Sequence, residues 1–224
     1  MRSGRRDSLR VIVVAVDGPS GSGKSTVSRR LAQALDASYL DTGAMYRAAT
    51  WAVLHAGVDL GDQEAVIKVV GDTDFFVGTE PTRQVVTVNG TGIEQAIRSN
   101  AVTAAVSAVS AIPGVRQVLV ARQKQIIAAA GRIVVEGRDI GTVVAPEADL
   151  KVYLTASASE RARRRSVETE SDHAATKADL ARRDHLDSTR ATNPLKQAQD
   201  AIVIDSTEMN IDQVVNYLRE MVEA

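Results

Sequence analysis

Residues 18–25 read Gly18-Pro19-Ser20-Gly21-Ser22-Gly23-Lys24-Ser25, the most informative motif for the fold of this chain. It matches the phosphate-loop pattern G-x-x-x-x-G-K-[ST] without a mismatch. Glycine has no Cβ, so the backbone of this loop can curl until its N–H groups face phosphate oxygens. We expect Lys24 to supply a positive charge to the outer phosphates and the Ser25 hydroxyl to ligate Mg²⁺.

The segments on either side of the loop support this interpretation. Val11 to Val16 form an unbroken, mostly β-branched run, which is typical of a strand that is buried on both faces. Val27, Leu31 and Leu35 recur at helical spacing after the loop. A glycine-rich turn without a ligand is the alternative, but strand, loop and helix follow one another in the order that phosphate binding requires.

The composition is that of an ordinary globular chain. Its 224 residues allow one domain with insertions, and its net charge of −1 gives no support to a nucleic-acid or membrane partner. The absence of cysteine excludes disulfides and thiolate metal sites, and it fits a reducing compartment. No apolar run approaches the roughly 20 residues of a membrane span. We therefore expect a cytoplasmic monomer that binds neither nucleic acid nor membrane.

Strand patterns alternate with helix patterns along most of the chain. After the first strand, the predicted strands of the core are residues 37–40, 132–136, 150–154 and 201–204. This alternation predicts an α/β fold with a five-stranded, parallel, doubly wound sheet. Ligands of such sheets bind beyond the carboxyl ends of the strands, where the phosphate loop lies.

One domain over residues 11–224 accommodates these elements, preceded by a basic, polar tail at residues 1–10 that we expect to be flexible. Its predicted parts are a core (11–57, 101–157 and 191–224), an insertion at about 58–100 and a charged helical segment at about 158–190. Glycines break the insertion into short pieces, with small antiparallel strands at 75–77 and 84–88. Helices at 101–111 and 115–130 are predicted to break at Pro113-Gly114.

Two classes of phosphate-loop protein compete: GTP-dependent switches and kinases of small molecules. A switch needs N/T-K-x-D to bind the base and D-x-x-G to sense the γ-phosphate. Thr176-Lys177-Ala178-Asp179 matches the first motif but follows no strand, and no aspartate in the first 150 residues has a glycine three positions later. A kinase needs arginines near the strand ends to stabilise the transferred charge. Arginines at suitable positions are Arg47, Arg138, Arg161, Arg163, Arg164, Arg165, Arg182, Arg183 and Arg190.

Five motifs are spread over nearly the whole chain. They are DGPSGSGK at Asp17–Lys24, YLDTGAMYR at Tyr39–Arg47, EGRDIGTVV at Glu136–Val144, RDHLDSTR at Arg183–Arg190, and NPL at Asn193–Leu195 followed by AIVID at Ala201–Asp205. In these motifs the chain closely resembles the bacterial cytidylate kinases, a family of phosphate-loop nucleoside monophosphate kinases. The resemblance extends from Val14 to Val215. It implies a five-stranded core, an enlarged monophosphate-binding domain and a mobile lid.

The resemblance also implies a reaction and a set of site residues. The reaction is transfer of the γ-phosphoryl group of ATP to CMP or dCMP, with Mg²⁺, as part of pyrimidine metabolism. The implied catalytic residues are Lys24, Arg138 and Arg183. Together with the loop pattern, it assigns ATP to Gly18, Pro19, Ser20, Gly21, Ser22, Gly23, Lys24, Ser25, Thr26, Arg161 and Arg165, and the metal to Ser25.

The implied CMP-binding residues divide by the part of the nucleotide that they contact. They are Thr42, Arg116, Asp139 and Arg190 at the base, Ser107, Arg183 and Asp187 at the sugar, Arg47, Arg138 and again Arg183 at the phosphate, with Tyr46 and Gly137 beside them. By spacing alone, Asp187 should share one helix face with Arg183 and Arg190.

Several alternatives stay open at this point. Asp17 either orients metal-bound water or caps a strand end, and Ser107 either contacts the sugar or bonds to its own helical turn. Arg116 is a binding residue or a surface residue, and Tyr46 is a wall of the site or part of the core. The alternative functions are a kinase of another nucleoside monophosphate, such as UMP, and a nucleotide-binding module without catalysis.

Overall fold

A computed structural model describes residues 11–169 and 172–223, so the predicted tail at residues 1–10 lies outside the described residues. Five strands form a parallel sheet in the order β2-β6-β1-β7-β8. Their bounds are β1 Ile12–Asp17, β2 Ser38–Asp41, β6 Arg132–Gly137, β7 Leu150–Thr155 and β8 Ile202–Asp205. The phosphate-loop strand β1 is central because its apolar residues can be buried on both faces. The predicted five-stranded α/β sheet is thus confirmed.

Helices cover both faces of this sheet. Their bounds are α1 Lys24–Ala34, α2 Thr42–His55, α3 Gln63–Asp72, α4 Asn100–Ala111, α5 Pro113–Ala130, α6 Ala158–Thr169, α7 His173–Thr189 and α8 Ile211–Glu223. Val14 and Val16 of β1 belong to the apolar cluster with α1 and α8, whereas Ala15 belongs to the cluster with α2, α4 and α5. Because side chains alternate along a strand, β1 contributes residues to the apolar core on both faces of the sheet.

The segment between α2 and α4 carries a second, three-stranded antiparallel sheet. Its strands are β3 Phe75–Val77, β4 Val86–Val88 and β5 Thr91–Gly92, in that order. The short antiparallel strands predicted there are present. The prediction that this insertion contains only short segments was wrong, because α3 is a ten-residue helix. Asp62 caps this helix by accepting a hydrogen bond from the Ala65 N–H. Gly61 precedes this cap and Gly71 lies in the last turn, so neither interrupts the helix.

The break between α4 and α5 lies at Ile112, one residue earlier than expected. Pro113 begins α5, where its missing N–H costs no helical hydrogen bond. Among the described residues, no single helix is long and apolar enough to span a membrane; α4 and α5 reach that length and apolarity only together, and they meet at an angle of 94°.

Gly18 is the glycine on which the start of the phosphate loop depends. It has φ +148°, and a Cβ there would lie 2.0 Å from the carbonyl oxygen of Leu154 in β7. We expect Gly18→Ala to lower the free energy of unfolding by more than about 2 kcal/mol, because strand backbone cannot move aside. Gly71→Ala, which meets open space within α3, should raise it by up to about 1 kcal/mol. Urea denaturation of both variants checks this; equal effects would contradict the assignment.

Candidate active site

A cleft of about 1380 Å³ opens at the carboxyl ends of the parallel strands. The predicted site residues that line it are Ser20, Gly21, Ser22, Gly23, Lys24, Ser25, Thr26, Thr42, Tyr46, Arg47, Ser107, Arg116, Gly137, Arg138, Asp139, Arg165, Arg183, Asp187 and Arg190. Gly18, Pro19 and Arg161 are not among the lining residues. The fold thus brings together residues that are up to about 170 positions apart in the chain, because the carboxyl ends of parallel strands lie along the same edge of the sheet.

Besides Gly18, the phosphate loop has two further glycines with positive φ, 77° at Gly21 and 89° at Gly23, the residue that precedes α1. The buried Lys24 ammonium donates to the Pro19 carbonyl oxygen at 2.7 Å. Burial, and after it the charge of Arg138, lower the pKa of Lys24. A bound phosphate would raise the pKa of Lys24 again, because its negative charge stabilises the charged ammonium. The loop is therefore arranged to bind an anion.

Asp17 has a structural task in the site. Its two carboxylate oxygens accept the N–H groups of Ile140 and Gly141, both at 2.8 Å. These amides belong to the π-helical turn Ile140–Val144, which directly follows Arg138 and Asp139. Burial raises the pKa of Asp17 to about 6 against the effect of the two hydrogen bonds. The carboxylate therefore clamps the turn and, through it, the two charged residues before it.

Glu136 is a site residue to which the sequence analysis assigned no role. It is the penultimate residue of β6, next to β1; it is buried, and it lines the cleft. Burial, and then the charge of Asp41, raise its pKa, while Lys24, Tyr39 and Ser25 lower it. The available signal was one acidic residue at the end of an apolar strand, close to the phosphate loop.

Arg116 and Asp139 form a buried ion pair at another part of the cleft. Arg190 also reaches Asp139, at 3.4 Å, so one carboxylate serves two guanidinium groups. Arg116 is 1% exposed, which excludes the surface alternative for this residue. Its guanidinium lies 5.1 Å from the ring centre of Tyr46, so Tyr46 both packs in the core and lines the cleft.

Arg190 and Asp187 differ from the arrangement expected of one helix face. Arg190 follows α7 in an extended conformation instead of continuing the helix. Asp187 accepts from Nε of Arg138 at 2.9 Å rather than pairing with Arg183. In both cases the partner is a residue that directly follows β6: Asp187 bonds to Arg138, and Arg190 pairs with Asp139.

Arg47 and Arg183 line the cleft without a carboxylate bonded to them within the described part of the chain. Arg47 donates to the Ile97 carbonyl and to the Thr103 hydroxyl, both at 3.0 Å. Burial, then Arg183 and Arg165, lower the pKa of Arg47 to about 10. Arg183 is buried, and its Nε has no hydrogen-bond partner among the described residues. Buried, mutually repelling cations of this kind favour a bound anion.

Arg161 lies behind the loop instead of in the cleft. It donates to the Ala156 and Ser20 carbonyls and pairs with Asp184 at 2.5 Å. Asp184 in turn accepts from the Ser20 N–H at 3.3 Å, which joins α6 and α7 to the phosphate loop. Arg165 lines the cleft itself.

The remaining predicted residues form the wall between the strand ends. Thr42 donates from its hydroxyl to the Glu136 carbonyl at 2.7 Å. Gly137 leaves room for this contact, since a Cβ there would lie 2.7 Å from Oγ1 of Thr42. Ser107 lines the cleft. Its backbone carbonyl accepts a hydrogen bond from the Ser110 hydroxyl, and this bond does not involve the Ser107 hydroxyl.

Comparison with known proteins gives a family match. The family model described as cytidylate kinase matches residues 14–224. Similar proteins called cytidylate kinase come from Nocardia farcinica (55% identical over 216 residues), Mycolicibacterium paratuberculosis (50% over 216) and Corynebacterium glutamicum (50% over 218). These alignments cover 94%, 94% and 95% of this chain, and 93%, 95% and 95% of the relatives.

Solved structures resemble the fold at low sequence identity. A protein described as uncharacterized from Eubacterium ventriosum has a TM-score of 0.55 at 8% identity, and shikimate kinase from Bacteroides thetaiotaomicron has 0.50 at 11%. Each match covers 95% of this chain and 99% of the other chain. These two likenesses concern the fold alone.

The clamp at Asp17 gives a testable consequence. Asp17→Ala leaves two buried amides without an acceptor, each worth roughly 1–3 kcal/mol. We expect a correspondingly large fall in the free energy of unfolding, measured with urea. Asp62→Ala is the matched control, since it removes an exposed carboxylate that accepts one helix N–H and should cost about 1 kcal/mol. An Asp17→Ala variant as stable as this control would show that the clamp is not needed.

Proposed function

The chain belongs to the cytidylate kinase family, and from this premise we propose that it transfers the γ-phosphoryl group of ATP to CMP and dCMP. The products are ADP with CDP or dCDP. The family membership bears out the resemblance found in the sequence. A role for UMP as the acceptor has no support among the compared relatives, which are all called cytidylate kinases.

One observation carries the proposal: a single cleft contains both the phosphate loop and a separate cluster built around Asp139. The same cleft is also lined by Arg47 and Arg183, which lack a carboxylate partner among the described residues. A phosphorylated acceptor would supply the missing negative charge. Phosphoryl transfer needs mainly positioning and charge stabilisation, and this arrangement offers both.

The catalytic roles fall to three cations. Lys24 would bind the transferred phosphoryl group from the donor side, and Arg138 and Arg183 would bind it and the acceptor phosphate from the other side. Arg47 would hold the acceptor phosphate. Asp187 keeps Arg138 in place through its bond to Nε, and Nη1 donates to the Gly137 carbonyl at 3.4 Å. The proposed phosphate contact would then be made by Nη2.

The base would bind at Asp139. A carboxylate can only accept hydrogen bonds, and cytosine offers an N4 donor, whereas the corresponding position of uracil is an acceptor. Arg116 and Arg190 both pair with this carboxylate and offer donors to the remaining cytosine edge. Thr42 would add a hydroxyl at the base, with Tyr46 and Gly137 beside the nucleotide. Ser107, Arg183 and Asp187 would contact the sugar.

The residues beside the phosphate loop fit Mg²⁺. Among the described residues, no group of three or more acidic or histidine side chains could hold a metal by itself. Mg²⁺ needs no such cage, since it usually binds through one or two protein oxygens, water and substrate phosphates. The exposed Ser25 hydroxyl and the nearby Glu136 carboxylate would hold it. Bound there, Mg²⁺ would neutralise charge on the phosphates.

The remaining parts of the proposal concern organisation. We propose that the segment at about 58–100 is the monophosphate-binding insertion and that about 158–190 is a lid over ATP, with Arg161 and Arg165. The contacts of α6 and α7 with Ser20 support a lid that senses the loop. A monomer in the cytoplasm, without nucleic-acid or membrane partners, completes the proposal.

Substrate choice tests the function directly. ADP formation should be measured with CMP, dCMP, UMP, AMP and GMP at equal concentration. We expect kcat/KM for CMP to exceed that for AMP and GMP by roughly 10²-fold or more. A purine is larger than the pyrimidine that the site is proposed to hold, and guanine also presents its O6 acceptor where cytosine has the N4 donor. Equal use of all four ribonucleotides would sink the proposal.

Lys24 tests the assigned chemistry. We expect Lys24→Ala to lower kcat by roughly 10²-fold or more, since its charge acts mainly on the transferring group. Lys68→Ala is the control: this exposed lysine on α3 pairs with Asp72 away from the cleft and should leave kcat unchanged. A near-normal kcat in Lys24→Ala would refute the role.

A further inference from the structure

Tyr39 is a core residue of β2 whose hydroxyl reaches the phosphate-loop end of the sheet. Its side chain is buried and packs with Leu31 and Val134 on the face that α1 covers. The hydroxyl donates to Oε1 of Glu136. Phenylalanine would fill the same space without this bond, so the hydroxyl serves the carboxylate and not the core.

The surroundings of Glu136 explain why it needs a fixed partner. Lys24 attracts its charge, and Asp41 repels it. Even so, no ion pair joins Lys24 to Glu136 within the described residues; the ammonium donates to the Pro19 carbonyl instead. A glutamate free to change rotamer could pair directly with the lysine, because such charge-assisted bonds are strong. The lysine would then be less available to the transferring phosphoryl group.

The ring of Tyr39 is held from its other side as well. The guanidinium carbon of Arg29 lies 4.6 Å from the ring centre. Arg29 is on α1, one turn after Ser25, and it lines the cleft. A ring packed between a rigid core and a cation loses little further freedom when its hydroxyl bonds to a carboxylate.

We propose that Tyr39 is a positioning residue for phosphoryl transfer: it holds the Glu136 carboxylate beside Lys24 and Ser25 without letting it neutralise the lysine. The inference rests on the proposed function, since it takes Lys24 to act on the transferring group. Tyr39 itself is not among the residues that line the cleft. Its contribution is to keep two groups of the loop aligned in the orientation that the reaction needs.

Tyr39→Phe tests this role, because it removes one oxygen and keeps the ring. With saturating ATP, Mg²⁺ and CMP, we expect kcat to fall roughly 10-fold or more, in the range of losses from supporting hydrogen bonds. KM for CMP and the stabilisation of the protein by ATP in thermal unfolding should stay close to the wild-type values. Tyr217→Phe, which removes an exposed hydroxyl on α8, is the matched control and should match wild type.

A double-mutant cycle with Glu136→Ala, which removes the acceptor of the Tyr39 hydroxyl, separates positioning from packing. If Tyr39 acts through Glu136, adding Tyr39→Phe to Glu136→Ala should cause little further loss of kcat. The same fold loss in both backgrounds, or a Tyr39→Phe kcat within about 2-fold of wild type, overturns the proposal. Loss of kcat together with a matching loss of folded protein also overturns it.

Failure of the function itself gives a different result. Wild-type protein inactive on CMP refutes the proposed function, and the cycle is then run on the monophosphate that the wild type does use. Wild-type activity on CMP with an unchanged Tyr39→Phe variant refutes only the role of Tyr39.

Discussion

The parallel register of β1 with its two neighbours is the constraint on which the site depends. Asp17, the last residue of β1, lies opposite Gly137 of β6 and Tyr153 of β7. This register places the Asp17 carboxylate under the turn after β6 and brings Glu136 to the phosphate loop. A slip of one residue would turn both side chains to the opposite face of the sheet. Apolar packing on both faces of β1 therefore holds the chemistry of the cleft in place.

The distribution of charge in the cleft follows from this frame. Three carboxylates of the site already have partners within the protein. Asp139 pairs with two arginines, Asp187 accepts from Arg138, and Asp17 accepts from backbone amides. Positive groups remain in excess near the centre, where burial already lowers the pKa of Lys24 and Arg47. Buried like charges repel each other, and anionic substrates relieve that repulsion. The repulsion among these positive groups raises the free energy of the unliganded protein, and phosphate binding is favoured because it removes that repulsion.

Two parts of the site would have been difficult to predict from spacing. Asp187 lies at helical distance from Arg183, yet it bonds to Arg138, which is 49 positions earlier in the chain. Asp17 precedes the phosphate loop and so suggests a metal role, but its oxygens are taken by amides 123 and 124 residues later. In both cases a partner from another strand end is closer than any neighbour in sequence.

Local patterns were sufficient for the elements with strong periodicity or a strict motif. The phosphate loop, the five core strands and the helices around them follow from residues 11–35 and from the alternation of apolar runs, since backbone preferences and burial act over a few neighbours. The helix α3 was not predicted, because Gly61 and Gly71 were interpreted as chain breaks, whereas Gly61 precedes the helix and Gly71 lies in its last turn. The family motifs indicated which residues meet in the cleft. Only the tertiary structure decided which oxygen bonds to which donor, and so assigned Asp17 to the turn and Tyr39 to Glu136. Such pairings depend on strand register and side-chain distance across the sheet, which no spacing along one chain specifies.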